Sequence, residues 1–278
     1  MTMTSVNEFF KLNDNTTIAR KMLNASAATW FLTATIGQWL FAYYIIIFYG
    51  GNAVQGDWAA WSNRMIHGFV EGDIIGNIAV LIHILLAFVI SFCGPLQFIP
   101  QVRQSYPGFH RINGRLYIMT SLVISVAAIY MIWSREAIIG GVMGQIGTSL
   151  DGILVIICAV MTVRFAMARQ IAIHRRWALR LFIVVSGVWF FRVIRGFWIF
   201  VNDGTSPGTN STLTGPFDLV LNFAGYLVPL FILECFFRIR DNGQSTSQYS
   251  MAGIILLLTA AMGLGIYSAA HIFWLPNI

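Results

Sequence analysis

Seven long apolar stretches, separated by short polar segments, constrain this 278-residue chain more than any other feature. A helix that crosses a bilayer needs about twenty predominantly apolar residues. The stretches that meet this requirement are Ala27–Tyr49, Ile74–Ile99, Leu116–Trp133, Ser149–Ala168, Ala178–Val201, Phe217–Phe237 and Gly253–Trp274. Only 10% of the residues are charged, which excludes an ordinary soluble domain. The sequence therefore predicts an all-α, polytopic integral membrane protein, a bundle of about seven transmembrane helices.

The basic residues lie in alternate polar segments, and this distribution predicts the orientation. The N-terminal arm and the second, fourth and sixth loops are rich in Lys and Arg, whereas the other loops contain only Arg64 and Arg135. The positive-inside rule then puts the N-terminus in the cytoplasm and the C-terminus outside, in the cytoplasmic (inner) membrane. We expect residues 1–26 to form a cytoplasmic arm and residues 27–278 to form one transmembrane domain. Because these loops account for the net charge of +6, we expect the lipid bilayer, and no nucleic acid, as partner.

Two of the inner loops resemble each other in sequence. The first contains Arg103-Gln104, His110-Arg111 and Arg115-Leu116-Tyr117, and the second contains Arg169-Gln170, His174-Arg175 and Arg180-Leu181-Phe182. Each loop follows a span that runs from outside to inside. The similarity indicates either a parallel repeat of residues 74–133 and 149–201 or two basic loops that converged on similar residues.

Several ionisable or polar residues lie within the outer halves of the spans. Such residues cost about 2.5–3.5 kcal/mol each on insertion scales and usually face the bundle interior. The set comprises His83, Asp151, Arg192, Arg195, Asp218 and Asn222. Arg192 and Arg195 share one helix face because three residues separate them. We interpret the set as an outer polar cavity for a small anionic or polar ligand that the protein binds or transports. The alternative is a group of structural ion pairs with arginines that extend to the interface.

A second group of charges lies at the inner ends of the spans. Glu234 is near the depth of Arg164 and Arg180, which predicts an ion pair between Glu234 and one of these arginines. The predicted inner-face site for an anion or anionic lipid comprises His110, Arg111, Arg115, His174, Arg175, Arg180 and Glu234. Because these cations gather at the positive ends of two helices, we expect a phosphate, a carboxylate or Glu234 to lie between them.

The histidines raise the alternative of a b-type haem, in a redox protein. Bis-histidine ligation needs two imidazoles at one depth on neighbouring helices. His83 and His271 differ in depth, while His110 and His174 share a depth at the polar inner boundary. Cysteine positions predict no metal site, and no hydrolase, zincin or P-loop signature is present, so the sequence assigns no reaction. A structural or regulatory membrane subunit is the third alternative.

Three motifs carry a resemblance to a known family. They are Gly94-Pro95-Leu96-Gln97-Phe98, His110-Arg111-Ile112-Asn113-Gly114-Arg115-Leu116-Tyr117, and His174-Arg175-Arg176-Trp177 followed by Arg180. From about Leu81 to Glu234 the chain resembles the predicted bacterial membrane proteins called domain of unknown function 2306. The resemblance implies a membrane protein and draws attention to His83 and Glu234, and it implies no particular reaction.

The predicted orientation can be tested with reporter fusions after Gly204 and after Asn242. We expect the two reporters to be active on opposite sides of the membrane, because one transmembrane span separates the two positions. The measurement is paired alkaline phosphatase and fluorescent-protein activity in cells. Finding both junctions on the same side would contradict the seven-span topology.

Overall fold

The computed structural model describes residues 18–64, 68–134 and 140–275, and the regular structure in these ranges is entirely helical. The α-helices are α1 (Ile18–Tyr44), α2 (Gly51–Gln55), α3 (Ile74–Leu96), α4 (Pro100–Ser105), α5 (Pro107–Ser134), α6 (Gly141–Met167), α7 (Ile171–Val185), α8 (Gly187–Val201), α9 (Pro216–Asn242) and α10 (Ser245–Ala269). A π-helix, Ile45–Gly50, joins α1 to α2, and a second one, Ala270–Trp274, follows α10. A 3-10 helix, Trp58–Asn63, lies between α2 and α3.

Six helical segments of the described residues are long and apolar enough to cross a membrane. With the bent pair α7 and α8 counted as one span the total is seven, and the predicted all-α membrane fold is confirmed. Several helices extend beyond the apolar windows, because their backbone hydrogen bonds continue into polar sequence until a breaking residue is reached. In particular, α1 begins at Ile18, within the segment expected to be the N-terminal arm. Residues 1–17 of that arm lie outside the described residues.

The span formed by α7 and α8, which is the fifth along the chain, is broken at Ser186, where the two helices meet at an angle of 55°. The Ser186 hydroxyl donates to the Phe182 carbonyl at 2.7 Å and accepts from the Gln38 side chain at 2.9 Å. Ser and Gly at adjacent positions are a recognised cause of sharp kinks. Gly187 follows directly and lets a carboxylate approach, since a Cβ there would lie 2.8 Å from Asp151 Oδ2. The buried Gln38–Ser186 hydrogen bond and the Asp151 carboxyl group therefore both lie at the break.

The broken span lies inside the bundle. Helix α7 packs against α6 and α9, whereas α8 packs against α9 and α10. Helix α1 packs against α3 and α10, and α5 packs against α3 and α6. Phe182 and Trp189, one on each side of the break, are 1% and 3% exposed and belong to one apolar cluster. Both halves of the span are thus anchored in the core.

The structure also bears on the proposed repeat of residues 74–133 and 149–201. In the first unit α5 runs without a break, and the short helix α4 precedes it. In the second unit a tight turn with Arg169 at a φ of 57° connects α6 to α7, and the following span is broken. The two units therefore share their order of elements and differ in their connections, and common ancestry stays a prediction.

Close contact of α8 and α10 depends on glycine, which gives a stability test. A Cβ at Gly265 would clash with the Val193 carbonyl oxygen, whereas Gly263 in the same helix has nothing within 4 Å. We expect Gly265→Ala to destabilise the protein by about 1–3 kcal/mol, because backbone would have to move. Gly263→Ala is the matched control and should leave the thermal unfolding midpoint equal or higher. Equal midpoints for the two variants would contradict this packing.

Candidate functional site

Two of the family-like motifs pack against each other at one end of the bundle, which we call the basic end because the arginine-rich loops lie there. A Cβ at Gly94 would lie 2.9 Å from the ring of Tyr117, and one at Gly114 would lie 3.2 Å from Gln97 Oε1. Tyr117 is 4% exposed. The glycines therefore allow α3 and α5 to approach closely. Arg115, beside Gly114, is exposed.

The predicted ion pair of Glu234 is present, and its partner is Arg180. Arg180 Nε lies 2.5 Å from Glu234 Oε1, and Nη2 lies 2.9 Å from Oε2. This bidentate geometry is the strongest form of an arginine–carboxylate contact. The guanidinium also lies over the rings of Trp177 and Phe237, at 4.6 and 5.4 Å. The contact joins α7 to α9, and it confirms the interhelical ion pair that the sequence predicts.

A second ion pair lies beside the first, between Arg176 and Asp241 at 2.6 Å. Arg176 lies over the Phe237 ring at 5.2 Å, so this ring contacts two guanidinium groups. Arg164 instead lies over the ring of its neighbour Phe165 at 5.9 Å. An open groove of about 490 Å³ runs along this surface, lined by Arg176, Phe231, Glu234, Cys235, Phe237, Arg238, Asp241 and Asn242.

The histidines of the two similar loops are brought together at the basic end. His110 interacts electrostatically with His174, Arg103, Arg111 and Arg175. His110 Nδ1 is buried and has no hydrogen-bond partner within the described ranges. Burial, and then the charge of Arg175, lowers the pKa of the Arg103 guanidinium below its ordinary value. The structure therefore gathers a cationic cluster in which Arg103, absent from the sequence-based set, takes part.

At the opposite end, Arg192 lies among aromatic rings of α1 and the π-helix after it. Its guanidinium is over the Phe41 ring at 5.4 Å, and Nη1 donates to the Val188 carbonyl at 3.0 Å. The charge of Arg192 also acts on the phenols of Tyr44 and Tyr49, which pack edge to face with ring centroids 5.8 Å apart. These tyrosines are 5% and 8% exposed, so they form a wall of the core.

His83 reaches the same place from α3. Its imidazole interacts electrostatically with Arg192, and its buried Nδ1 lacks a hydrogen-bond partner in the part of the chain that the structure describes. Val188, one turn before Arg192, is 54% exposed although it is apolar, so α9 and α10 do not cover this face of α8. We call Arg192, His83, Phe41, Tyr44 and Tyr49 the Arg192 site.

Arg195 follows Arg192 by nearly one turn, and its Nε is buried without a hydrogen-bond partner among the described residues. Asp151 lies elsewhere, against the break in the span. A Cβ at Gly187 would meet both Asp151 and the Tyr226 side chain. Tyr226 donates to the Gly147 carbonyl at 3.0 Å, which ties α9 to α6 near Asp151. Asp151 thus faces α8 and α9, whereas Arg192 faces α1 and α3.

Asp218 and Asn222 organise the start of α9. Asp218 is fully buried, and its Oδ2 accepts from the backbone N–H of Asn210 at 3.4 Å and of Gly215 at 3.2 Å. The Asn222 amide lies against Gly140, at the start of α6. The six residues expected to form one outer cavity are thus distributed: His83 and Arg192 lie together, Asp151 lies at the break, and Asp218 caps α9.

The remaining histidines do not join the Arg192 site. His271 packs edge to face against Tyr267, with ring centroids 4.5 Å apart, in a shallow groove of about 240 Å³ between α8 and α10. His67 lies outside the described residues. Of the pairs considered for haem, His110 and His174 are therefore the two that come near each other. Within the described ranges, no cluster of three or more His, Cys, Asp or Glu side chains is arranged to hold a metal ion.

Sequence reasoning missed the aromatic half of the Arg192 site and the contact at the break. Tyr44 and Tyr49 lie in an apolar run, so periodicity assigns them to a span without indicating a role. Gln38, a buried amide in the first span, was the available signal for the Ser186 contact, because buried amides require partners. Arg64, assigned to topology alone, acts electrostatically on both tyrosines.

The chain belongs to the family described as predicted membrane protein (DUF2306), which matches residues 80–223. The match covers α3 to the start of α9 and includes His83, the three motifs and the broken span. It confirms the resemblance that the motifs carry. No curated protein and no solved structure matches the chain significantly.

The Arg180–Glu234 contact can be measured by a double-mutant cycle. We expect Arg180→Gln and Glu234→Gln to show a coupling free energy of about 1–2 kcal/mol in thermal or denaturant unfolding, because a bidentate ion pair is lost in each variant. The matched control pairs Arg164→Gln with Glu234→Gln, and its coupling should be close to zero. Equal coupling in both cycles would mean that Glu234 responds only to net charge.

Proposed function

We propose that the protein binds a small anionic ligand inside the membrane, at the Arg192 site, as a step in its transport. The observation that carries this proposal is the lack of a counter-charge for Arg192. Among the described residues, no carboxylate forms an ion pair with its guanidinium, which bonds to a backbone carbonyl and lies over Phe41. A cation held in a low-dielectric interior without an anion is costly. An anionic ligand would remove that cost.

The groups around Arg192 indicate what kind of anion would fit. A guanidinium presents a planar fork that matches a carboxylate. The unpartnered Nδ1 of His83 offers a second polar contact, and the rings of Phe41 and Tyr44 offer apolar contact. We therefore expect a carboxylate with an apolar or aromatic body.

The broken span supports a transport role. Transporters place substrate sites beside discontinuous helices, whose interrupted backbone lets two half-helices move separately. Here the break at Ser186 precedes Arg192 by less than two turns. Asp151, a buried carboxyl group on the other side of α8, adjoins the same break and supplies a second ionisable group within the membrane. Movement of α8 against α7 would change the surroundings of both.

The test uses purified protein in neutral detergent and benzoate, acetate and phosphate as probes. We expect benzoate to raise the thermal unfolding midpoint most, and Arg192→Gln to weaken benzoate binding about tenfold to a hundredfold in calorimetric titration. Arg164→Gln, the matched control, should bind as the wild type does. Without ligand, Arg192→Gln should be at least as stable as the wild type, because it removes an uncompensated charge. A large loss of stability with no response to any probe would identify Arg192 as a structural residue.

The same preparation tests the redox alternative. A b-type haem would give a Soret band that shifts on reduction and is lost in His110→Ala or His174→Ala. Such a band would favour the redox function over transport. A colourless protein whose stability responds to benzoate through Arg192 would favour the proposed function.

A further inference from the structure

Four basic side chains meet at the basic end of the bundle, far from the Arg192 site along the spans. Arg103 comes from α4, His110 from α5, and His174 and Arg175 from α7. The charges of Arg103, His174 and Arg175 all act on His110, and the charge of Arg175 acts on Arg103. We call these four residues the inner cluster.

The helix geometry places the two histidines at one depth, on helices that share a buried apolar cluster, independently of their charges. Tyr117 of α5 and Leu181 of α7 are 4% and 1% exposed and belong to one buried apolar cluster. His110 and His174 each precede these residues by seven positions, which is two helical turns on the same face. Since both helices run in the same direction from this end, the two imidazoles reach the same depth. The short helix α4 packs against α5 and brings Arg103 alongside.

The ring of His174 is held in one orientation. Its Nδ1 lies 3.0 Å from the Thr162 carbonyl oxygen of α6, and a carbonyl can only accept, so Nδ1 carries the hydrogen. The Nε2 edge is therefore directed away from α6. His110 presents a buried Nδ1 that has no hydrogen-bond partner within the described ranges. Two polar edges at the inner cluster are thus available for a ligand.

The acidic side chains at this end are already engaged. Of the described residues, the acidic ones near the basic end are Glu234 and Asp241, and they pair with Arg180 and Arg176. Glu234, the carboxylate considered from the sequence as the anion at the two His-Arg elements, thus pairs with Arg180, which lies outside the inner cluster. The inner cluster keeps a positive charge for which the described chain supplies no matching carboxylate.

We infer that the inner cluster binds a phosphate group, with Arg103 and Arg175 as the charged contacts and His110 and His174 as further polar contacts. Several oxygens on one tetrahedral anion can accept from Arg103, His110 and Arg175, which come from three helices, and a single carboxylate cannot do this as well. Either a lipid headgroup or a soluble phosphate compound would supply this chemistry. The site would lock α4, α5 and α7 together, independently of any ligand at Arg192.

The experiment measures thermal unfolding of the delipidated full-length protein in neutral detergent. One arm adds sodium phosphate against sodium chloride at equal ionic strength. The other adds dioleoyl phosphatidylglycerol against dioleoylglycerol, which has the same acyl chains and no phosphate. The variants are Arg103→Gln and Arg175→Gln. The matched control is Arg115→Gln, because Arg115, which the sequence assigned to the inner-face site, is an exposed arginine of α5 at the same end and lies outside the inner cluster.

We expect at least one phosphate probe to raise the wild-type midpoint by about 3 °C or more. The shift should be lost in Arg103→Gln and Arg175→Gln and kept in Arg115→Gln. A shift with phosphatidylglycerol alone identifies a lipid headgroup as the source, and a shift with inorganic phosphate as well identifies a site open to soluble phosphate. Both results support the inference.

Two results would overturn it. The first is a wild-type midpoint that responds to neither phosphate probe. The second is an equal loss of the shift in Arg115→Gln, which would mean that only the overall positive charge matters. Should Arg103→Gln fail to fold, Arg103→Lys keeps the charge and Arg175→Gln, on another helix, provides the decisive comparison.

Discussion

Hydrocarbon cannot solvate a charge, and the surroundings of Arg180 and Arg192 show two responses to that constraint. At the basic end, the charge of Arg180 is balanced by a bidentate contact with the Glu234 carboxylate of α9, and its guanidinium also lies over two aromatic rings. At the opposite end, Arg192 is held by a backbone carbonyl and a ring, without a carboxylate among the described residues. One arginine therefore joins two helices, while the other keeps a charge that a ligand could neutralise.

Both arginines belong to the same span, and this span is broken at Ser186 between them. Arg180 lies on α7 and Arg192 on α8, on either side of the 55° bend. Ion pairing through Glu234 fixes α7 to α9, whereas the glycine contacts of α8 fix it mainly to α10. The halves thus have different neighbours, and a ligand at Arg192 would act on one half while the other stays anchored.

The family motifs contain glycines that shape the bundle and basic residues that we assign to the inner cluster. Gly94 and Gly114 have packing reasons, since each allows a side chain of the opposite helix to approach. His174 contacts the Thr162 carbonyl oxygen of α6, and His110 keeps a buried Nδ1 without a hydrogen-bond partner among the described residues. The motifs of the basic end therefore combine a close helix contact with basic residues beside it.

The sequence by itself determined the all-α membrane class with six or seven spans, the family and the presence of an ion pair at Glu234, because apolar length and the cost of charges in a bilayer are local properties. The sequence did not show that Glu234 pairs with Arg180 and not with Arg164, or that Asp151 lies apart from Arg192. It also did not place Tyr44 and Tyr49 in the Arg192 site or Arg103 in the inner cluster. Those outcomes depend on the rotation of each helix about its axis and on which helices become neighbours. Packing between distant segments decides the rotation of each helix and its neighbours. The sequence of one apolar stretch contains almost no information about which helices will pack against it.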